Sequence, residues 1–309
     1  MKKAFVNALL QLAREDEAIW LVTGDIGFGV LTPFWERFPG RFVNAGIAEQ
    51  AMMGMAAGLA LEGKTVFVYS IANFPSLRCL EQIRNDCAFH NANVKIVSVG
   101  AGFAYGAQGM SHHGTEDAAA LRAIPGVTVV TPCDPLEAAA ATRAVAQIPG
   151  TCYLRLGRGG EPALHQLPPD LHPGKALVLC EGERVAIFAA GAIAAEALKA
   201  RALLVEKGLT PAVCSVPFLK PMDAGFVHRI AQEHELLVTV EEHTILGGLG
   251  GAVAEVLAEM DGPHARLLRI GIPDTCGQAG SQQYMRGLYG LLAEQIAAEI
   301  FGRTDWGKP

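Results

Sequence analysis

The chain has 309 residues, half of them hydrophobic, 18% charged and with a net charge of −6. That length can bury two ordinary cores, and the apolar content excludes a disordered chain or a coiled coil. No long basic run is present, so a nucleic-acid surface is not expected.

The N-terminus, MKKAFVNALLQLARED, begins with two lysines as a signal peptide would. Its apolar stretch is short and is broken by Asn7, Gln11 and Arg14, which reads as an amphipathic helix. Short β-branched runs then alternate with Ala-rich segments. Strands are expected at 19–23, 66–69, 94–99, 127–131 and 152–156, and helices at 47–61, 77–89, 116–123 and 135–147. Asp134-Pro135 is a suitable helix entry, with Asp as cap and Pro in the first turn. A Gly/Pro-rich stretch from Gly157 to Lys175 has neither helical nor strand periodicity, and 161–175 is read as a linker. Beyond it the alternation restarts, with strands expected at 185–189, 212–216, 236–240 and 267–270 and helices at 193–206, 224–232, 248–259 and 282–299. The expected fold is α/β, with two three-layer α/β/α domains on mostly parallel sheets, residues 1–160 and 176–309.

The longest apolar run, Val185 to Ala195, is too short to span a bilayer, so no membrane segment is expected. Seven cysteines are spread from Cys79 to Cys276 without CxxC spacing. That argues against a disulfide framework or zinc ribbon and fits a reducing cytosol, so a cytoplasmic location is expected.

Four segments could carry chemistry. In Asn44-Ala45-Gly46-Ile47-Ala48-Glu49-Gln50, Glu49 falls in a first helical turn within an apolar stretch. Interaction with the helix dipole is the plain structural reading. Gly54 and Gly58, four apart, would let another backbone approach that helix, so Glu49 is also placed to share a proton with a ligand nitrogen in a packed, subunit-facing site. In Ser70-Ile71-Ala72-Asn73-Phe74, at the end of a strand, Phe74 is either a corner core residue or a stacking face. The loop Gly102 to Asp117 holds Gln108, His112 and His113 among four glycines. A metal reading of His112, His113, Glu116 and Asp117 is weak because adjacent His side chains diverge. Arg155 and Arg158, three apart at a strand end, could reach one anion or form structural ion pairs.

Together these segments resemble the pyrimidine-binding domain of transketolases, deoxyxylulose-phosphate synthases and the β subunits of 2-oxo-acid dehydrogenases. The stretch Val240-Glu241-Glu242-His243 followed by Gly247-Gly248-Leu249-Gly250-Gly251, with Ile272-Pro273-Asp274, resembles the transketolase C-terminal domain. The resemblance implies thiamine diphosphate as cofactor. It implies that Glu49 hydrogen-bonds N1′ of the aminopyrimidine and so activates the thiazolium, and that Phe74 stacks on the pyrimidine beside Ile71, where relatives commonly carry a second aromatic. It implies that His112 faces the substrate, that Arg158 meets a substrate phosphate, and that Gln108 stands where an acidic or similarly polar residue touches a sugar hydroxyl. His243 is expected at a surface or interface. Pro217 stands where the synthases have an Arg, which favours the transketolase branch.

The family's diphosphate half, a GDG followed by NN that holds Mg²⁺, is missing. Gly24-Asp25-Ile26-Gly27 matches it at two residues only, so no metal ligand is assigned to this chain. The resemblance therefore implies one subunit of a split transketolase-type transferase, active with a separate partner that carries the diphosphate-binding domain and most Mg²⁺ contacts. It further implies an α2β2 heterotetramer acting on a small sugar or keto substrate by two-carbon ketol transfer. The alternatives are an E1 β subunit of a 2-oxo-acid dehydrogenase and a non-catalytic regulatory subunit with a degenerate site.

Overall fold

The computed structural model describes residues 1–303; positions 304–309 of the expected second domain lie outside the described residues. The first half contains strands β1 (Ile19–Thr23), β2 (Phe42–Asn44), β3 (Thr65–Ile71), β4 (Val94–Val99), β5 (Thr128–Val130) and β6 (Cys152–Leu156). Its helices are α1 (Lys2–Glu15), α2 (Thr32–Arg37), α3 (Glu49–Leu61), α4 (Leu80–Gln82), α5 (Asp117–Arg122) and α6 (Pro135–Gln147). The second half contains β7 (Leu177–Cys180), β8 (Val185–Ala190), β9 (Ala212–Ser215), β10 (Phe218–Lys220), β11 (Leu236–Thr244) and β12 (Arg266–Ile272). Its helices are α7 (Ala194–Val205), α8 (Ala224–Glu233), α9 (Leu249–Ala258), α10 (Gln282–Leu288) and α11 (Ala293–Arg303).

The strands form two mostly parallel sheets, as the expected α/β class requires. The larger has the order β10-β5-β6-β4-β3-β1-β2 and the smaller β12-β11-β8-β9-β7. Every residue of β3, β4 and β6 except Ile71 is buried, which follows from their mainly apolar sequences and from cover on both faces; the Lys95 ammonium inside β4 is met by the carbonyls of Ile148 and Gly150. Asp134 caps α6 as expected, its carboxylate accepting the backbone N–H of Glu137 at 2.7 Å.

Two expected helices are broken. The segment 77–89 is a 3₁₀ turn, then α4, then a π-helical stretch from Ile83 to Ala88. Such wide turns inside a helix commonly mark functional sites. The segment 282–299 is α10 and α11, separated by a turn that contains Gly290.

The two halves share structure. Strand β10, which follows the linker in sequence, joins the first sheet antiparallel to β5, with Phe218 opposite Val130. The backbone N–H of Thr131 donates to the carbonyl of Pro217 at 2.7 Å and continues the pairing. One hydrophobic cluster runs from Val22 and Met52 in the first half to Phe188 and Leu257 in the second. Phe218 is 1% exposed and packs in the first half's other core cluster, with Phe67 and Val130. Replacing Phe218 by Ala is therefore expected to cost about 3–5 kcal/mol, from lost burial and the cavity left behind. Urea unfolding should show one transition shifted as a whole. A shift confined to a separate second-half transition would contradict the shared sheet.

Candidate active site

Strands β1, β3, β4 and β6 run parallel and end level, with Thr23 opposite Tyr69, Ile71 opposite Val99 and Val99 opposite Leu156. The loops after them therefore leave one edge of the sheet, the carboxyl edge where open α/β sheets place ligands. Glu49 stands at this edge as the first residue of α3. The chain reaches it through Gly46, whose positive φ of +71° suits glycine. Asn44 fixes that turn: its Oδ1 accepts from the N–H groups of Gly46 and Asp25 at 3.0 and 2.9 Å, and its Nδ2 donates to Asp25 Oδ1 at 2.9 Å. The Gly24-Asp25 segment packs beside the acid, since a Cβ at Gly24 would lie 3.6 Å from Glu49 Cγ.

Glu49 is only 4% exposed, and Arg78 Nη1 donates to its Oε2 at 2.7 Å. The guanidinium offsets the desolvation of the acid, while Arg78 itself is 46% exposed. From Glu49 a line of contacts crosses the sheet edge. The Arg78 guanidinium lies 4.3 Å from the centre of the Phe74 ring, and Phe74 meets His112 edge-on at 5.2 Å. His112 stands 6.4 Å from Tyr105, and Arg158 lies over the Tyr105 ring at 5.0 Å. Ile71 and Gln108 are tied into the same line, since the N–H of Phe74 donates to the carbonyl of Ile71 and that of Gln108 to the carbonyl of Tyr105, both at 2.9 Å. Glu49, Ile71, Phe74, Gln108, His112 and Arg158 thus stand along one connected edge.

The two histidines diverge. His112 is half-buried with Nδ1 3.0 Å from Ser111 Oγ, whereas His113 is buried, with Nε2 3.0 Å from the carbonyl of Gly106 and its ring edge-on to Phe103. Asn73 ties this loop to the Phe74 turn by donating to the carbonyl of His113 at 2.6 Å. Among the described residues, His112, His113, Glu116 and Asp117 do not gather into a metal cluster.

Arg155 and Arg158 do not converge on one anion. Arg155 is buried and donates to Asp117 Oδ2 at 2.9 Å and to the carbonyls of Gly114 and Glu242. Its guanidinium holds the Asp117 carboxyl below the usual range against the opposing effect of burial. Tyr153 hydroxyl also donates to Asp117. Arg158 is exposed. His243 is likewise not at a surface: it is buried beside this ion pair and accepts the N–H of Ala119 at 3.3 Å. Burial, with the Arg155 charge, pushes it down to about 4. Glu242 closes the junction, accepting from the Phe103 N–H at 2.7 Å and from Arg286 Nε at 2.8 Å. Gly102 permits this approach, because a Cβ there would lie 2.5 Å from Glu242 Cγ.

Beyond His112 opens a cleft of about 700 Å³ between the halves, lined by Tyr105, Gln108, Arg158, Glu196, Lys199 and Arg286 among others. Arg78 and Tyr105 are site residues that the sequence does not single out. Arg78 has a local signal, four positions after Phe74 in the turn that ends a strand. Tyr105 has none, since its role rests on Arg158 more than fifty residues away.

Known proteins share this architecture. The transketolase pyrimidine-binding domain matches residues 1–161 and the transketolase C-terminal domain residues 174–296. A putative transketolase C-terminal section of Methanocaldococcus jannaschii is 39% identical over 303 residues, covering 97% of this chain and 95% of that protein. An apulose-4-phosphate transketolase subunit of Phocaeicola vulgatus is 39% identical over 297 residues, covering 96% and 94%. A solved structure described as a split-gene transketolase, an inactive β4 tetramer, superposes with a TM-score of 0.89 at 37% identity, covering 97% of this chain and 96% of that one.

The junction generates a pH prediction. Burial raises Glu241 to about 7, so its contribution to stability is full below pH 4.5 and is lost as pH rises toward 7. His243 has the opposite sign: its contribution is full above pH 6.5 and is lost as pH falls toward 4. Across the shared window the two effects oppose. In Glu241→Gln the His243 effect stands uncompensated, so stability should climb more steeply with pH between 4.5 and 6.5 than in the parent, by up to about 1.4 kcal/mol per pH unit. Urea titrations at several pH values measure this; parallel profiles would refute the assignment.

Proposed function

This chain belongs to the transketolase family, and on that footing we propose that it is one subunit of a split, thiamine-diphosphate-dependent transketolase. It would transfer a two-carbon ketol unit from a ketose-like donor to an aldehyde or aldose acceptor. The single observation that carries this reading is the line of contacts from Glu49 through Arg78, Phe74, His112 and Tyr105 to Arg158. It runs from a buried acid through an aromatic face and a histidine to a cation at the mouth of a cleft.

The residues suit the cofactor's pyrimidine end. A buried carboxylate can share a proton with a ring nitrogen, and Phe74 offers an aromatic face. With Arg78 against one side of that ring, a flat group would stack on the other. What thiamine diphosphate supplies when bound is a nucleophilic carbon able to take up and pass on a ketol fragment. Glu49 would hold a proton at N1′ of the pyrimidine. Ile71 gives an aliphatic rather than aromatic wall. His112, half-buried where His113 is buried, would hydrogen-bond substrate oxygens and move protons. Gln108 and Arg158 would meet the far end of the substrate, with an amide where an acid is usual and a guanidinium suited to phosphate.

Diphosphate and Mg²⁺ contacts are assigned to a partner subunit, in an α2β2 assembly. The support is an uncovered face next to Glu49. A Cβ at Gly54 or Gly58 would meet nothing within 4 Å, and Ile47 and Met55 on the same segment are exposed. No helix among the described residues is long and apolar enough to cross a membrane.

Glu49→Gln keeps the side chain's size and its acceptor for Arg78 but removes the proton-sharing carboxylate. Assayed with the partner subunit on ketose donors, it should lose at least about 100-fold in turnover while the assembly elutes unchanged on gel filtration. Turnover equal to the parent would remove Glu49 from this role.

A further inference from the structure

Away from this edge, the start of α6 and the linker bring three side chains of different chemistry together. The Cys133 sulphur, a Glu137 carboxylate oxygen and a His165 ring nitrogen all lie within 4.8 Å of one another. Cys133 and Glu137 are buried, and the His165 side chain is 13% exposed. Cys133 Sγ is 2.9 Å from Glu137 Oε2, and His165 Nε2 is 3.7 Å from the same oxygen. None of the three belongs to the line from Glu49 to Arg158.

The orientation of His165 is informative. Its backbone N–H donates to Asp134 Oδ2 at 2.8 Å, and its Nδ1 lies 3.1 Å from that oxygen. Asp134 is fixed in place by further bonds, its Oδ2 accepting the N–H of Leu164 and its Oδ1 that of Glu137, both at 2.7 Å. With Nδ1 turned to Asp134, Nε2 is the ring nitrogen that points toward Glu137 and Cys133. Nε2 is buried and has no hydrogen-bond partner. It faces a carboxylate and a sulphur, an arrangement that favours a positive species between them. A carboxylate on one nitrogen of an imidazole whose other nitrogen faces further donors is how proteins orient a metal-binding histidine.

We propose that Cys133, Glu137 and His165 form a binding site for a divalent cation of the zinc class, with solvent as a fourth ligand. Mixed sulphur, nitrogen and oxygen donors select zinc over magnesium or calcium. Tetrahedral zinc sets such donors roughly 3.3–3.6 Å apart, so the sulphur and the Glu137 oxygen would move apart and the His165 ring would close in, shifts of up to roughly 1 Å. On binding, the Cys133 sulphur–hydrogen bond gives way to a sulphur–metal bond, and its proton, with any carried by Glu137 or by His165 Nε2, leaves to solvent; no electron moves. Thiolate and carboxylate then balance the two positive charges around a neutral imidazole. The position suggests a structural clip. His165 belongs to the linker, Cys133 and Glu137 to the first half, and Ser215 of β9 donates to the other Glu137 oxygen at 3.0 Å.

The test is titration of the full chain, stripped of metal with a chelator, by Co²⁺ under reducing conditions. One equivalent should bind with a thiolate-to-cobalt charge-transfer band and tetrahedral visible absorption, and Zn²⁺ should displace it. Cys133→Ser should abolish the band, whereas Cys276→Ser, at an exposed cysteine, should leave it intact. Asp134→Asn should weaken Zn²⁺ binding by about 10–100-fold. His165→Gln, in the linker, should weaken it at least as much and serves if the Cys133 variant does not fold. Absence of the band, its survival in Cys133→Ser, or unchanged Zn²⁺ affinity in His165→Gln would overturn the site and leave a proton as the bridging species.

Discussion

The structure depends on one buried arginine. Arg155, at the end of β6, binds the carboxylate of Asp117 at the start of α5, the carbonyl of Gly114 in the His112 loop and the carbonyl of Glu242 in β11. A guanidinium has enough fixed donors to make all three bonds at once, and lysine does not have that geometry. Through these bonds the loop that carries Gln108 and His112 is held against both halves of the chain. Removing one member of such a buried pair leaves an uncompensated charge, so the junction is maintained as a unit.

This explains why the halves are joined more closely than a linker alone would join them. Strand β10 enters the first sheet, Glu242 reaches the backbone of Phe103, and Arg286 meets Glu242 at the cleft wall. The cleft is consequently built from both halves, with Tyr105 and Arg158 on one side and Lys199 and Arg286 on the other. It lies apart from the Glu49 end, where α3 presents bare glycines. Under the proposed function, a cofactor end open toward another subunit would be separate from a substrate end built from both halves of this chain.

Much of this is legible in the sequence because it is local. Parallel strands buried on both faces read as short, mainly apolar and β-branched runs, and β4 and β6 have the expected bounds. The Asp134 cap follows from two adjacent residues. The segment 77–89 reads as one helix because its apolar spacing is helical, whereas its backbone closes wider turns after Ile83. The separate fates of Arg155 and Arg158 do not follow from their spacing. Alternation along a strand sends one inward, but the acid it meets, Asp117, lies on a different element. His243 reads as a surface or interface residue because a polar triplet at a strand end usually is one; here β11 continues to Thr244 and His243 packs beside Asp117 in the Arg155 knot.

The central claim is that this chain supplies the pyrimidine end of a thiamine diphosphate site and a second subunit the diphosphate end. The direct measurement is the affinity for thiamine diphosphate with Mg²⁺, by calorimetry, of this chain alone and of the chain purified with its partner subunit. Saturable binding is predicted only with both subunits present. Binding by this chain alone as tight as by the pair would contradict the claim.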